Sequence, residues 1–171
     1  LGEGAGFVVL ESEAHALARG CRLLGRLEGW GNACDAFHQT ASSPDGEGAF
    51  LAMSKALEMA GLRPADIDYI NAHGTGTVNN DESESKAMSR LFGGCVPPVS
   101  STKSFTGHTT SASGGIETVI CLLAMEYGFI PANLGWKVPS EGCITPEAEG
   151  RSKVFLQHVL CNSFAFGGND S

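Results

Sequence analysis

Residues 67–72, Ile-Asp-Tyr-Ile-Asn-Ala, read as a buried strand lying between two helical patterns, and that order points to an α/β architecture. The run delivers His73 to its C-terminal end, where open α/β sheets bind their ligands. On its N-terminal side, Glu47–Ala60 is the clearest helix, because Phe50, Met53, Leu57 and Ala60 recur at helical spacing and Gly61 stops it. On its C-terminal side, Asn80-Asp81 with Glu84 reads as an N-cap followed by a capping glutamate. The helix it opens runs to about Phe92 with Ala87, Met88, Leu91 and Phe92 inward.

The remaining elements follow the same two periodicities. Residues 6–11 and 23–30 have strand character, and residues 12–19 form a brief helix stopped by Gly20. Between Asn32 and Gly48 lies a Ser/Pro/Asp/Gly-rich loop long enough to suggest a function of its own. Residues 97–101 are a short extended segment. Residues 114–127 are a second long helix with an apolar face of Ile116, Ile120, Leu123 and Ala124. Residues 153–161 read as a near-continuous apolar strand, and the chain closes on a Gly167-Gly168 turn after which no strand is expected. No internal repeat or linker divides the chain.

The passage Ser101-Thr-Lys-Ser-Phe-Thr-Gly-His-Thr-Thr-Ser-Ala-Ser-Gly-Gly-Ile-Glu117 has the composition of a site floor. It brings a lysine, a histidine, a run of small residues and a glutamate together at the start of a helix. Small residues let backbone approach a ligand, and a helix N-terminus turns unpaired N–H groups toward it. A loop that merely caps a buried helix would have the same composition. His73 has a matching setting, since Gly74-Thr-Gly-Thr77 follows it. Two neutral imidazoles can offer two N–H donors to one oxygen and so stabilise an enolate or developing oxyanion. Lys103 would hold positive charge near that centre and Glu117 could balance it. Thr75 and Thr77 could hydrogen-bond a polar linear ligand or satisfy the loop's own backbone. His15, His38 and His158 carry no assignment beyond structure.

Several classes are excluded or disfavoured. A net charge of −8 argues against a nucleic-acid surface or a polybasic membrane patch. No apolar run reaches the roughly 18 residues of a membrane span, and no signal segment opens the chain, so a cytoplasmic protein is expected. The six cysteines are never closer than 13 positions, which rules out a C-x-x-C pair and suits buried thiols in a reducing compartment. A metal site at His73 and His108 lacks a third ligand on either loop, and no cofactor fingerprint is present: Gly74-Thr-Gly76 has neither a third glycine in register nor a Gly-Lys-Ser/Thr.

Taken together, Asn71-Ala-His-Gly-Thr-Gly-Thr77 followed by Asp81, Lys103-Ser-Phe-Thr-Gly-His108 leading to Glu117, and Asn162-Ser-Phe-Ala-Phe-Gly-Gly168 resemble the beta-ketoacyl-acyl carrier protein synthases in order and spacing. Leu1-Gly-Glu-Gly-Ala-Gly and Asp35-Ala-Phe-His-Gln-Thr40 support the resemblance, which covers nearly the whole chain. It implies a thiolase-like α/β fold, C-terminal half, with a mixed, mostly parallel sheet packed by helices. Residues 1–11 would be the last strand of a preceding N-terminal half, and residues 12–171 a C-terminal domain ending before its final strand, with an unpaired sheet edge. The implied activity is acyl transfer with decarboxylative Claisen condensation in fatty-acid or polyketide synthesis. The implied partners are an acyl carrier protein bearing a phosphopantetheine-linked acyl or malonyl group, the N-terminal half of the same protein, and a second copy in a homodimer.

By motif match, His73 and His108 would be the paired histidines that assist decarboxylation, Lys103 the active-site lysine and Glu117 its acidic companion. Phe166 would be the gating phenylalanine, its backbone N–H contributing to the oxyanion hole, and Thr75 and Thr77 would bind the pantetheine arm. None of the six cysteines stands in the context of the family's nucleophile, which belongs to the N-terminal half, so the 171-residue chain alone is expected to be inactive. Against the family pattern, Ala165 replaces the usual glycine beside Phe166, which would stiffen the gate, and Ser111 and Ser113 stand where the family usually has Gly and Ala, a change expected to alter packing under His108 without touching its role. Two alternatives stay open: a silent partner subunit of the chain-length-factor kind, and an acyl- or carrier-binding module without chemistry.

Overall fold

A computed structural model describes residues 1–171. Helices α1 Glu13–Ala18, α2 Glu47–Ala60, α3 Val78–Phe92, α4 Lys103–Thr106 and α5 Ser113–Tyr127 alternate with eight short strands. These are β1 Ala33–Cys34, β2 Tyr69–Asn71, β3 Val99–Ser100, β4 Phe129–Ile130, β5 Arg151–Ser152, β6 Val159–Cys161, β7 Phe164–Ala165 and β8 Asn169–Asp170.

The expected α/β architecture is organised on β2. It lies between β3 and β6, parallel to both, with Ile70 opposite Val99 on one side and Leu160 on the other. A parallel strand covered on both faces must bury every side chain, and Tyr69, Ile70 and Asn71 are all buried. Alternate residues serve opposite layers. Ile70 packs with Met53 and Leu57 of α2 and with Ala87, Met88 and Phe92 of α3, whereas Tyr69 joins Ala124 of α5, Ile130 and Leu156. Two smaller antiparallel sheets flank this one, β1-β8-β7 and β4-β5.

Helix α2 has the expected bounds, and Gly61 ends it in a left-handed cap. Met53 and Leu57 are inward, while Phe50 sits at the boundary with the Arg90 guanidinium 4.1 Å above its ring. Helix α3 begins earlier than the Asn80-Asp81 cap implies. The Thr77 hydroxyl accepts the Asn80 N–H at 3.3 Å, and Gly76, at φ +77°, turns the chain into that geometry. In α5 the buried stripe is Ser113, Glu117, Cys121 and Ala124, so of the expected apolar face only Ala124 is inward. Ile116 and Ile120 are half-buried and Leu123 is exposed. The inward stripe is polar because it meets Lys103 and His108, while Ile116 faces the extended N-terminal segment near Gly4.

Four strand expectations need correction. Residues 6–11 and 23–30 are extended but pair with no strand, and Phe7, Val9, Leu10, Leu24, Leu27 and Trp30 are exposed. The first segment lies on α5, where Gly6 touches Gly115 so closely that a Cβ would fall 2.5 Å from its carbonyl carbon. Residues 153–161 are not one strand. Lys153, at φ +58°, turns the chain out of β5, and the Asp68 carboxylate then takes the N–H groups of Gln157 and His158 before β6 begins. At the end of the chain, Gly167 and Gly168 at φ +85° and +72° reverse it, and a strand does follow: β8 pairs with both β7 and β1. No helix is long and apolar enough to cross a membrane.

Candidate active site

His73 stands two residues beyond Asn71, the last residue of β2, and is 4% exposed. Its position is held through the backbone. The Glu84 carboxylate on α3 accepts the N–H groups of His73 and Gly74, both at 2.9 Å, together with the side-chain amides of Asn80 at 3.3 Å and Asn162 at 3.0 Å. Burial pushes the Glu84 carboxyl up while those four donors pull it down. Gly74 adopts φ +44° with Ser101 beside it. A Cβ there would fall 2.5 Å from the Ser101 Cβ, so the turn after His73 requires glycine. The Ser101 hydroxyl donates to the Gly74 carbonyl at 2.9 Å, joining this turn to the one that leads to Lys103.

His108 follows α4 and Gly107. Its Nδ1 lies 3.1 Å from the Ser113 hydroxyl and accepts the Thr110 N–H at 3.3 Å. The two imidazoles, 35 positions apart in the chain, meet edge to face with ring centroids 5.3 Å apart and planes at 85°. Burial, then the charge on Lys103, then His108 hold the His73 imidazole down to about 3. Burial and then Lys103 also lower His108. Both shifts favour the neutral imidazole, which has one N–H to donate.

Lys103 and Glu117 form a buried ion pair between Nζ and Oε1, linking α4 to the inward face of α5. Burial raises the Glu117 carboxyl, the Lys103 ammonium opposes that shift, and Oε2 has no hydrogen-bond partner. The structure thus brings together His73, His108, Lys103 and Glu117. The Thr75 and Thr77 hydroxyls lie 3.1 Å from each other, and that of Thr77 also caps α3. A cavity of about 540 Å³ is lined by Thr75, Lys103, His108, Leu134 and Trp136, and by Ala72 and Gly74 on either side of His73. A second hollow of about 510 Å³, lined by Phe105, Ile120, Phe129 and Arg151 among others, contains neither histidine. Phe166 stands apart, 80% exposed on the turn between β7 and β8.

Three residues of this site carry no separate signal in the motif letters. Glu84 looks like a capping glutamate at its spacing, yet it turns inward under the His73 turn. Phe164 is buried with its ring centroid 5.6 Å from that of His73, while Phe166, which strand alternation would place on the same face, is exposed beyond the end of β7, so the residue pattern gives no signal for Phe164. Ser113 lies under His108 as the motif match implies, but the sequence suggests only packing there; its hydroxyl reaches the ring nitrogen because Ser113 opens the buried stripe of α5.

A family profile described as the beta-ketoacyl synthase C-terminal domain matches residues 24–137. The 3-oxoacyl-(acyl-carrier-protein) synthase 2 of Synechocystis sp. is 42% identical over 173 residues, covering 99% of this chain and 42% of that protein. Among solved structures, the ishigamide ketosynthase/chain length factor matches with a TM-score of 0.92 and 39% identity, over 99% of this chain and 42% of that one. A type II PKS acyl-carrier protein in complex with its ketosynthase bound to the hexaketide matches with a TM-score of 0.89 and 30% identity, over 94% and 40%. The chain spans about four-tenths of the length of the curated relatives it matches.

Proposed function

Because the chain belongs to the beta-ketoacyl synthases, as their C-terminal domain in a thiolase-like α/β fold, we propose that it carries the decarboxylation half of a condensing site in fatty-acid or polyketide synthesis. A malonyl group on a carrier thioester loses carbon dioxide, and the electron pair of the broken C–C bond becomes an enolate. The enolate carbon attacks an acyl thioester held on a cysteine of the N-terminal half, and the cysteine leaves as thiolate while the carrier-bound chain grows by two carbons.

The edge-to-face pair of His73 and His108 supports this reading most directly, since two imidazoles brought together from separate loops can offer two N–H donors to the single oxygen of an enolate. Burial, and after it Lys103 tethered by Glu117, disfavours protonation of both rings, and Lys103 adds positive charge beside the malonyl carboxylate. Thr75, on the cavity wall, and Thr77 would hold the pantetheine arm, and the Phe166 backbone N–H would serve the oxyanion hole. The partners are an acyl carrier protein, the N-terminal half and a second copy of the full-length protein, in the cytoplasm.

The test is full-length protein with His73→Ala or His108→Ala. Each variant should accept an acyl group normally and decarboxylate a malonyl carrier ~100- to 1000-fold more slowly, the cost of one oxyanion donor. Unchanged decarboxylation would instead mark a carrier-binding module, or a silent partner of the chain-length-factor kind.

A further inference from the structure

Ser113 is buried at the first position of α5, its hydroxyl 3.1 Å from His108 Nδ1 and 3.4 Å from the Thr109 hydroxyl, itself buried. Two facts settle which group donates. The Thr110 backbone N–H, aimed by a residue held at φ +52°, points at the same Nδ1 from 3.3 Å. A backbone N–H can only donate, so Nδ1 carries no proton and the ring proton sits on Nε2. The Ser113 hydroxyl then also donates to Nδ1, and the Thr109 hydroxyl can donate to Ser113 behind it. The imidazole receives hydrogen bonds on one edge, which leaves Nε2–H on the opposite edge as its only donor.

We propose that Ser113 is a positioning residue for the decarboxylation reaction, reinforcing the Nε2–H tautomer of His108 that the Thr110 N–H favours and strengthening that N–H as a donor. It rests on the function proposed above, but the tautomer does not. A hydroxyl donating to Nδ1 withdraws electron density from the ring and opposes protonation there, so it works in the same direction as burial and Lys103. Without Ser113 the ring would rely on the longer Thr110 contact alone.

The experiment is Ser113→Ala and Ser113→Thr in the full-length protein. With Ser113→Ala, ¹⁵N NMR of His108 should show a larger Nδ1–H fraction and a higher titration midpoint. Malonyl decarboxylation should fall about 3- to 10-fold in kcat, the worth of one neutral hydrogen bond, with KM unchanged. The acid limb of its pH profile should move up. Ser113→Thr, which keeps the hydroxyl, should restore all of these. Unchanged His108 ¹⁵N shifts in Ser113→Ala overturn the proposal. A parent protein that decarboxylates nothing refutes the proposed function instead, while the NMR result still decides the role of Ser113.

Discussion

The Glu84 carboxylate accepts the backbone N–H of His73 at 2.9 Å, so a helix side chain sets the position of a strand-end histidine whose Nδ1 has no hydrogen-bond partner of its own. The same carboxylate holds Gly74, Asn80 and Asn162. It joins β2, α3 and the segment that enters β7 at one buried point.

Removing that acceptor should be costly. Glu84→Ala leaves two backbone N–H groups and the Asn162 amide without their acceptor, at about 1–3 kcal/mol for each buried group. Urea denaturation should show a loss of at least about 3 kcal/mol. Glu84→Gln, which keeps one acceptor oxygen, should recover part of it.

The Lys103–Glu117 pair should behave as a buried ion pair does. Lys103→Met strands a carboxylate that is 2% exposed, and a loss of about 3–5 kcal/mol is expected. The double variant Lys103→Met/Glu117→Gln, with no charge left to strand, should regain much of that stability by the same denaturation measurement.

Asp170 gives stability a pH dependence. Burial first, and then the neighbouring Asp35, push its carboxyl up to about 7, against about 3.9 in an unfolded chain. Asp35 and Asp170 converge on Gly48 of α2, and Glu84 adds a further negative charge. Between roughly pH 4 and 7 the folded protein binds more protons than the unfolded one, so stability falls as pH rises, by up to about 1.4 kcal/mol per pH unit. Thermal unfolding across that range should show the slope, and Asp170→Asn should flatten it.

Gly74→Ala tests the turn itself. At φ +44°, with Ser101 in the path of a Cβ, the substitution should cost more than about 1 kcal/mol and disturb His73. A perturbed His73 imidazole resonance together with a lower Tm would be the result expected.

Much of the frame was legible because it rests on periodicity and on local signals. Glu47–Ala60 is bounded by its apolar spacing and by Gly61, and β2 by its burial between two helices. The misread elements depended on partners distant in sequence. Residues 6–11 and 23–30 have the residues of strands, but a strand exists only when another backbone completes its hydrogen bonds, and none in this chain does. Residues 153–161 were divided by the Asp68 carboxylate, about 90 positions away. The buried stripe of α5 was missed because an amphipathic pattern marks apolar residues, whereas this helix turns Ser113 and Glu117 inward to meet His108 and Lys103.

The order and identity of the chemical groups belong to the sequence: a histidine at a strand end, a second beyond a lysine, a glutamate one helical stretch later. Tertiary structure decided the rest, namely that the two rings meet at 5.3 Å, that burial lowers the proton affinity of both, and that Glu84 rather than a local cap holds His73. Proton affinity and hydrogen-bond geometry depend on which groups lie within a few ångströms and on how much water is excluded, and folding alone sets both.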